Sequence, residues 1–445
     1  MKPLLVKPAF QLRGRISLAG DKSIAHRSII LSCISKGKTI IDNFPDNKDC
    51  FNTLNAFKKL GIKILCKKFQ ERIIVYGRGL YGLKKPKGEI FVGDSGTTLR
   101  IILGVLAGQG FKVKLTTGGS LAKRPMLRVT EPLRKMGAFI EARGKIKEGR
   151  QEEYPPIVIK GGDLKPITYK MPLASAQVKS AILLAGLYAK GKTCVIESIK
   201  TRDHTERMLK LFKAKIISKK NSIIIEGRKE LVSPGRITIP GDISSAGFFI
   251  VAGTVVPGSE ILIENVNLNP LRIGIIKVLK RMGANIRVLR SRVNRIFNYE
   301  PVGDILVKSR KLKATRVKKE EIPTLIDELP VLMVAASLAE GKTVFEGVNE
   351  LRVKETDRIR SMVENLKKMG AIIKVRKTKE SEDIIIEGIK QLTGARVKSF
   401  GDHRTAMSMV IAGLVAQKNT LIDDISCINK SFPNFLEILT PLIIR

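Results

Sequence analysis

Tryptophan is absent from this sequence, tyrosine occurs six times, and aromatic residues make up 5% of its 445 positions. Surfaces that stack nucleic-acid bases interleave aromatics with cations, and no segment here does so. Cysteine is scarce too. Cys33, Cys50, Cys66, Cys194 and Cys427 are odd in number and form no C-x-x-C pair. They read as reduced thiols of a cytoplasmic protein, which excludes a disulfide framework and a zinc site. No apolar run reaches the roughly 18 residues that span a bilayer. The longest, 181–189 and 246–257, have the length of a buried core helix. The first eleven residues lack the apolar stretch of a signal peptide, so the expected location is the cytoplasm, with no membrane partner. No His, Cys and carboxylate cluster has metal-ligand spacing, and Gly37-Lys38-Thr39 lacks the upstream glycine of a nucleotide-binding P-loop. No metal and no cofactor is expected.

Acidic residues are also few: 41 Asp and Glu stand against 81 Lys and Arg, a net charge of +40, and the pI is about 10.2. Such a balance marks either a nucleic-acid binder or a lysine-rich background. The cations are spread along the whole chain, with one dense segment at 310–319, and this favours background composition. What is abundant is apolar residue, 43% of the chain. A length of 445 exceeds one ordinary core, so two domains or a repeat array is expected.

Internal repeats decide between them. An apolar helix followed by Gly-Lys-Thr or a relative, then a short Ile/Val run, occurs at Gly37, Gly110, Gly191, Gly258, Gly341 and, altered, Asn419. The glycine is expected to end the helix at C′ and the apolar run to be a strand. A second helix ending Leu-x-x-φ-Gly-Ala-x-Ile follows in most copies, as at 133–140, 279–286 and 366–373. Six β-α-β-α-β units of about 74 residues describe an α/β repeat protein. A coarser duplication matches Gly14-Arg15-Ile16-Ser17-Leu18-Ala19-Gly20-Asp21 to Gly235-Arg236-Ile237-Thr238-Ile239-Pro240-Gly241-Asp242. It divides the chain into two lobes of three repeats, 21–240 and 1–20 plus 241–445, with the N-terminal strand in the second.

The six repeat-opening helices begin at Asp21-Lys22-Ser23, Asp94-Ser95-Gly96-Thr97, Ala174-Ser175-Ala176-Gln177, Asp242-Ile243-Ser244-Ser245, Asp327-Glu328 and Asp402-His403-Arg404. Capping explains the Asp and Ser residues. It does not explain Lys22, Arg27, Arg100, Gln177 or Arg404 on otherwise apolar helices. Cations at a helix N-terminus oppose the macrodipole by roughly 0.3–1 kcal/mol each, and a bound phosphate or carboxylate removes the conflict. Two further stretches carry cations, Lys123, Arg124 and Arg128 in 121–128, and Lys354 with Arg358 in 351–360. The latter two read as i,i+4 neighbours on one helix face, which repel unless an anion lies between them. The plain alternative there is an ion-pair network through Glu355 and Asp357.

GDKSIAHR (20–27), GDSGTTLR (93–100), Arg124-Pro125-Met126, SAQVKSA (175–181), RVKETDR (352–358), GDHR (401–404) and KSFP (430–433) together resemble the 3-phosphoshikimate 1-carboxyvinyltransferases of the enolpyruvyl transferase family. The resemblance runs in order along the whole chain. It implies two lobes, each of three α/β units around a pseudo-threefold axis in an inside-out α/β barrel, with the active site between them. It implies transfer of the enolpyruvyl group of phosphoenolpyruvate to the 5-hydroxyl of shikimate 3-phosphate, in aromatic amino-acid biosynthesis, with those two small molecules as partners, no nucleic acid, and a monomer. It assigns Lys22, Ser23, Arg27, Ser175, Ala176, Gln177, Lys354 and Arg202 to shikimate 3-phosphate, with Lys22 and Gln177 also reaching phosphoenolpyruvate. Gly96, Arg124, Arg358, Arg404 and Lys430 fall to phosphoenolpyruvate. Asp327 matches the base on the 5-hydroxyl, and Glu355 the acid that protonates the methylene carbon. Glyphosate occupies much of the phosphoenolpyruvate site in this family, and SAQVKSA resembles its glyphosate-tolerant subgroup. Ala176 departs from the serine of some members. UDP-N-acetylglucosamine enolpyruvyl transfer would require Lys-Asn in place of Lys22-Ser23 and a cysteine near 118–124, and neither is present. The alternative from a different class is a basic RNA-binding repeat protein.

Overall fold

The computed structural model describes residues 2–67, 71–147, 150–290, 299–377 and 381–444. The chain forms two compact units, Gly20–Ile239 with Ile296–Glu300, and Met1–Ala19 with Pro240–Arg295 and Pro301–Arg445.

Before the 20–239 unit come β1 (Leu4–Val6) and β2 (Gln11–Ser17). The unit then runs through α1 (Lys22–Cys33), β3 (Lys36–Asp42), α2 (Lys48–Lys59), β4 (Lys63–Lys67) and β5 (Arg72–Arg78). Next are β6 (Ile90–Phe91), α3 (Gly96–Leu106), β7 (Lys112–Thr116), α4 (Leu127–Lys135), β8 (Phe139–Lys147) and β9 (Arg150–Lys160). The third repeat is β10 (Thr168–Lys170), α5 (Ala176–Gly186), β11 (Lys192–Ile196), α6 (His204–Leu211), β12 (Ile216–Ser218) and β13 (Ser222–Glu226), and β14 (Arg236–Thr238) follows it. The sheets β14-β3-β5-β4, β6-β7-β9-β8 and β10-β11-β13-β12 share one plan. The first two strands of each are parallel and the other two pairs antiparallel. Each repeat is therefore β-α-β-α-β-β, one strand more than expected. The extra strand closes a hairpin, and its alternating burial, as in Arg72–Arg78, shows one face on the core.

The 240–445 unit contains α7 (Ile243–Val255), β15 (Glu260–Asn267), α8 (Gly274–Arg281), β16 (Asn285–Arg290) and β17 (Val302–Lys308). There follow β18 (Arg316–Val317), α9 (Leu329–Ser337), β19 (Lys342–Phe345), α10 (Arg358–Lys368), β20 (Ile372–Lys377) and β21 (Glu382–Glu387). Last are β22 (Arg396–Val397), α11 (His403–Leu414), β23 (Thr420–Ile422), α12 (Phe435–Leu439) and β24 (Ile443–Ile444). Its sheets are β16-β17-β15-β2-β24, β18-β19-β21-β20 and β1-β23-β22. The two matched Gly-Arg-Ile segments thus exchange places. β2, which precedes α1, pairs with β15, while β14, which precedes α7, pairs with β3. Gly20 follows β2, where a Cβ would lie 2.1 Å from the Asn43 carbonyl oxygen, so only glycine fits.

In each unit the repeat-opening helices are buried on all sides beyond their first turns, and apolar residues lie all round them, with buried polar exceptions such as His26, Arg27, Arg100 and Lys179. α1, α3 and α5 sit in one core, and α7, α9 and α11 in the other. α3 and α5 approach so closely that a Cβ on Gly104 would meet the Ala181 carbonyl oxygen at 2.2 Å. Four of the second helices, α2, α4, α8 and α10, are amphipathic and end in Schellman caps with glycine at C′, namely Gly61, Gly137, Gly283 and Gly370. The Gly-Lys-Thr glycines do not hold that position. Gly37 lies inside β3 with φ +104°, three residues past the C-cap Ile34 of α1. It serves the turn into the strand and not the helix end. The α/β architecture of repeated units is the expected one, in open sheets.

Candidate active site

Five of the six buried helices start on a side-chain cap: Asp21 accepts from the Ile24 N–H, and Ser95, Ser175, Asp242 and Asp402 do the same for their helices. α9 starts at Glu328 without one. None of the six carries an acidic residue in its first turn, the place where acids offset the macrodipole.

In the 20–239 unit, side chains knit the starts of α1, α3 and α5 together. Arg27 is buried and donates from Nε to Thr205 Oγ1 at 2.6 Å, from Nη1 to the Ser23 carbonyl at 2.8 Å, and from Nη2 to Ser180 Oγ at 2.8 Å. Lys22 Nζ pairs with Asp49 at 3.1 Å. Arg100 donates to Gln177 Oε1 at 2.8 Å and to the Pro125 carbonyl at 3.1 Å, while Gln177 donates to Thr97 Oγ1 at 3.0 Å. Gly96 lies where a Cβ would meet Arg124 Nη1 at 3.0 Å and Arg100 Nη1 at 3.1 Å. Asp94 does not cap α3. It accepts from the Ser120 and Leu121 N–H groups and so fixes the loop that leads to Arg124. Lys22, Ser23, Ser175, Ala176, Gln177 and Arg202 are half-buried, and Lys123 is exposed.

Sequence reasoning missed a buried ion cluster behind this face. Lys179 Nζ lies 3.0 Å from Glu197 and 2.6 Å from Glu206, all three within 5% exposure. Burial pushes the Glu206 carboxyl above its usual range, with Lys179 pulling it back. Glu197 also takes the Thr201 N–H at 3.1 Å, which anchors the loop carrying Arg202. His204 Nδ1 lies 2.7 Å from Glu300. The signal was the Lys179 cation inside an otherwise apolar helix.

In the 240–445 unit a single guanidinium organises the carboxylates. Arg358 is 1% exposed. Its Nη2 donates to Glu355 at 2.6 Å, its Nε to Asp402 at 2.9 Å, and its Nη1 lies 3.5 Å from Asp327. Burial works against its charge, yet Asp402, Glu355 and Asp327 hold its pKa above the ordinary guanidinium value. Arg404 Nη1 donates to the Asp327 carbonyl at 2.9 Å. Burial lowers the Lys354 ammonium, opposed by Asp327 and Glu350. Lys354 and Arg358 are not neighbours on one helix face. Residues 349–353 form a 3-10 turn, Lys354 is extended, and Asp357 caps α10 at Arg358. The ion-pair network read as the plain alternative is real, and Asp357 joins Arg352 at 2.6 Å while Arg358 takes Glu355. Lys430 ends a 3-10 turn, and burial pushes the nearby Cys427 thiol up to about 11, with Asp402 adding to the rise and Lys430 opposing it. Among the described residues no three His, Cys, Asp or Glu stand together as a metal site, and no helix is long and apolar enough to cross a membrane.

First turns without acidic residues, beside fixed guanidinium groups, suit small, multiply charged anions, and the carboxyls on Arg358 add groups that can move protons. Comparison with known proteins gives the particular family. Residues 6–439 match the family model of EPSP synthase (3-phosphoshikimate 1-carboxyvinyltransferase). The chain is 48% identical to the 3-phosphoshikimate 1-carboxyvinyltransferase of Thermodesulfovibrio yellowstonii, over 98% of this chain and 99% of that one. Against the enzyme of the same name from Alkaliphilus metalliredigens identity is 47%, over 99% and 100% of the two chains. The structure of EPSP synthase from Acinetobacter baumannii superposes with a TM-score of 0.85 at 40% identity, covering 100% of this chain and 98% of that one. The chain belongs to the EPSP synthase family.

Proposed function

We propose the following division of labour for the enolpyruvyl transfer of the shikimate pathway that this enzyme performs. The reaction moves the enolpyruvyl group of phosphoenolpyruvate onto the 5-hydroxyl of shikimate 3-phosphate and releases phosphate. Lys22, Ser23, Arg27, Ser175, Ala176, Gln177, Arg202 and Lys354 bind shikimate 3-phosphate. Gly96, Arg124, Arg358, Arg404 and Lys430 bind phosphoenolpyruvate, and Lys22 and Gln177 reach it as well. Asp327 takes the proton of the 5-hydroxyl as its oxygen attacks C2 of phosphoenolpyruvate, and Glu355 delivers a proton to C3. The tetrahedral adduct then loses phosphate as a proton leaves the new methyl group, and the enolpyruvyl double bond re-forms. Two carboxyls with separate tasks are what such an addition and elimination require.

The observation that carries this reading is Arg358, bonded to Glu355 at 2.6 Å and facing Asp327 at 3.5 Å. A phosphoenolpyruvate anion that pairs with the Arg358 guanidinium is thereby brought beside both carboxyls, the one that takes the hydroxyl proton and the one that gives a proton to C3. Assay of phosphate release from the two substrates tests the assignment. Asp327→Asn and Glu355→Gln are each expected to lower kcat by roughly two to four orders of magnitude, with substrate binding kept by calorimetry. Near-parental kcat at saturation in either variant removes that residue from its role. The five cysteines are unpaired thiols, which supports a reducing cytoplasmic location. The protein is proposed to work there as a monomer without a nucleic-acid partner, and sedimentation with and without RNA is the check.

A further inference from the structure

Beneath the helix starts of the 20–239 unit runs a continuous row of buried polar groups with no role in the reaction as described. His26 on α1, Thr53 on α2, and Ser95 and Thr98 at the start of α3 are each no more than 1% exposed. His26 Nδ1 lies 2.6 Å from Thr53 Oγ1, Thr53 Oγ1 lies 2.7 Å from Thr98 Oγ1, and Thr98 Oγ1 lies 2.7 Å from Ser95 Oγ. The Thr98 N–H also donates to Ser95 Oγ at 3.2 Å, which is the cap of α3.

The direction of the row follows from the protons available. Burial, reinforced by Lys22 and Arg27, lowers the His26 pKa well below its usual value, so the ring is neutral. Its Nε2 has no hydrogen-bond partner among the described residues. A buried N–H without an acceptor is costlier than an idle lone pair, so the proton sits on Nδ1. His26 then donates to Thr53 and Thr53 to Thr98. The Thr98 hydroxyl has two acceptors, Ser95 Oγ at 2.7 Å and the Asp49 carbonyl at 3.4 Å, and the shorter bond takes its hydrogen. Asp49 in turn holds Lys22 Nζ. Three helices are thereby tied at their first two turns, through side chains 27 and 45 residues apart in sequence.

We propose that Thr53 and Thr98 are positioning residues for phosphoenolpyruvate: the row holds the first turn of α3, with Gly96, in register with the first turn of α1, with Lys22. The proposal rests on the reading of Gly96, Arg124 and Lys22 as phosphoenolpyruvate contacts. Neither threonine touches substrate. A phosphate bound by backbone N–H groups and a fixed ammonium needs those donors placed to within about 0.5 Å, and three helices joined only by apolar packing lack a directional restraint of that kind.

Thr98→Val keeps the shape and removes the hydroxyl, while Thr98→Ser keeps the hydroxyl and removes the methyl. Thr98→Val is expected to raise KM for phosphoenolpyruvate about tenfold, with kcat within about threefold. Thr98→Ser is expected to stay within about twofold of the parent. Thr53→Val should show the same split, and the double valine variant should be no worse than either single one, as for links of one chain. Unchanged KM in Thr98→Val, with only a lower melting temperature, overturns the proposal. Equal impairment in Thr98→Ser overturns it too, since the methyl would then be what matters. Arg124→Met, assayed alongside, separates the two layers. If it leaves KM for phosphoenolpyruvate unchanged, the assignment of that site fails. If it raises KM while Thr98→Val does not, the row alone fails.

Discussion

Gly96 shows how a residue-scale question is settled by geometry. A glycine at a helix start serves either a left-handed backbone or a close approach, and Gly96 is not among the residues of positive φ. Its Cβ space is bounded by the ends of Arg124 and Arg100, at 3.0 and 3.1 Å. Gly96→Ala therefore keeps its backbone and places a methyl against two guanidinium groups. On the proposed assignment of Gly96 to phosphoenolpyruvate, the expected outcome is a rise in KM for that substrate and a larger rise in the inhibition constant of glyphosate, the longer molecule. Equal changes in both constants, or a loss of stability with neither, would mean that the methyl does not narrow the anion site. Gly96 and Arg358 were legible in the sequence as residues that open helices, and Arg124 as part of a cation-rich stretch. Their partners were not. Ser180 and Thr205, which orient Arg27, lie 153 and 178 residues away and are unremarkable in composition. The Arg358 bond to Asp402 likewise spans 44 residues.

Among elements, the second helices show the repeat at its most regular, and two of them depart from it: α12 is short and runs into a 3-10 turn, and α6 keeps the cap without the glycine. α2, α4, α8 and α10 end with glycine at C′, whereas α6 ends with Lys213 at φ +64°. The cap is otherwise the same, with Lys213 N–H on the Lys210 carbonyl at 3.0 Å and Ala214 N–H on the Leu209 carbonyl at 2.9 Å. A side chain in the left-handed region costs about 1–2 kcal/mol, partly offset by the backbone entropy that glycine loses on folding, about 0.5–1 kcal/mol. Lys213→Gly is therefore expected to stabilise the protein by about 0.5–1 kcal/mol, read as a higher urea midpoint at unchanged slope. Lower stability would mean that the exposed Lys213 side chain contributes more than its strain removes. These helices were legible because period and cap agree in sequence. The hairpin strand that completes each of the first five repeats was not, since two short Ile/Val runs in succession carry no mark of a turn between separate strands. The start of α10 was misread because a charged stretch looks helical until the 3-10 turn at 349–353 interrupts it.

For the whole molecule, the first 19 residues matter more than a terminal segment usually does. β2 lies between β15 and β24 in the first sheet of the 240–445 unit, and β1 supplies the antiparallel strand of its last sheet beside β23. No pattern in Leu4–Val6 announces this, because three residues are too few for a period. Val6, Leu12, Ile16 and Leu18 are all buried in that unit's core. At about 1.5–3 kcal/mol for each buried side chain, the four contribute about 6–12 kcal/mol, comparable to the about 5–15 kcal/mol that holds a domain folded. The 20–239 unit draws its own first-sheet strand from β14 and needs none of these residues. Removal of residues 1–19 is therefore expected to unfold one unit selectively. In hydrogen exchange, the amides of β15, β17 and β23 should lose protection while those of β7, β9, β11 and β13 keep it. Leu12→Ala, at about 2–5 kcal/mol, is the milder version and should weaken protection in the same strands. Uniform loss across both units would mean that they unfold as one cooperative body, and unchanged protection of β15 would mean that the sheet closes without β2.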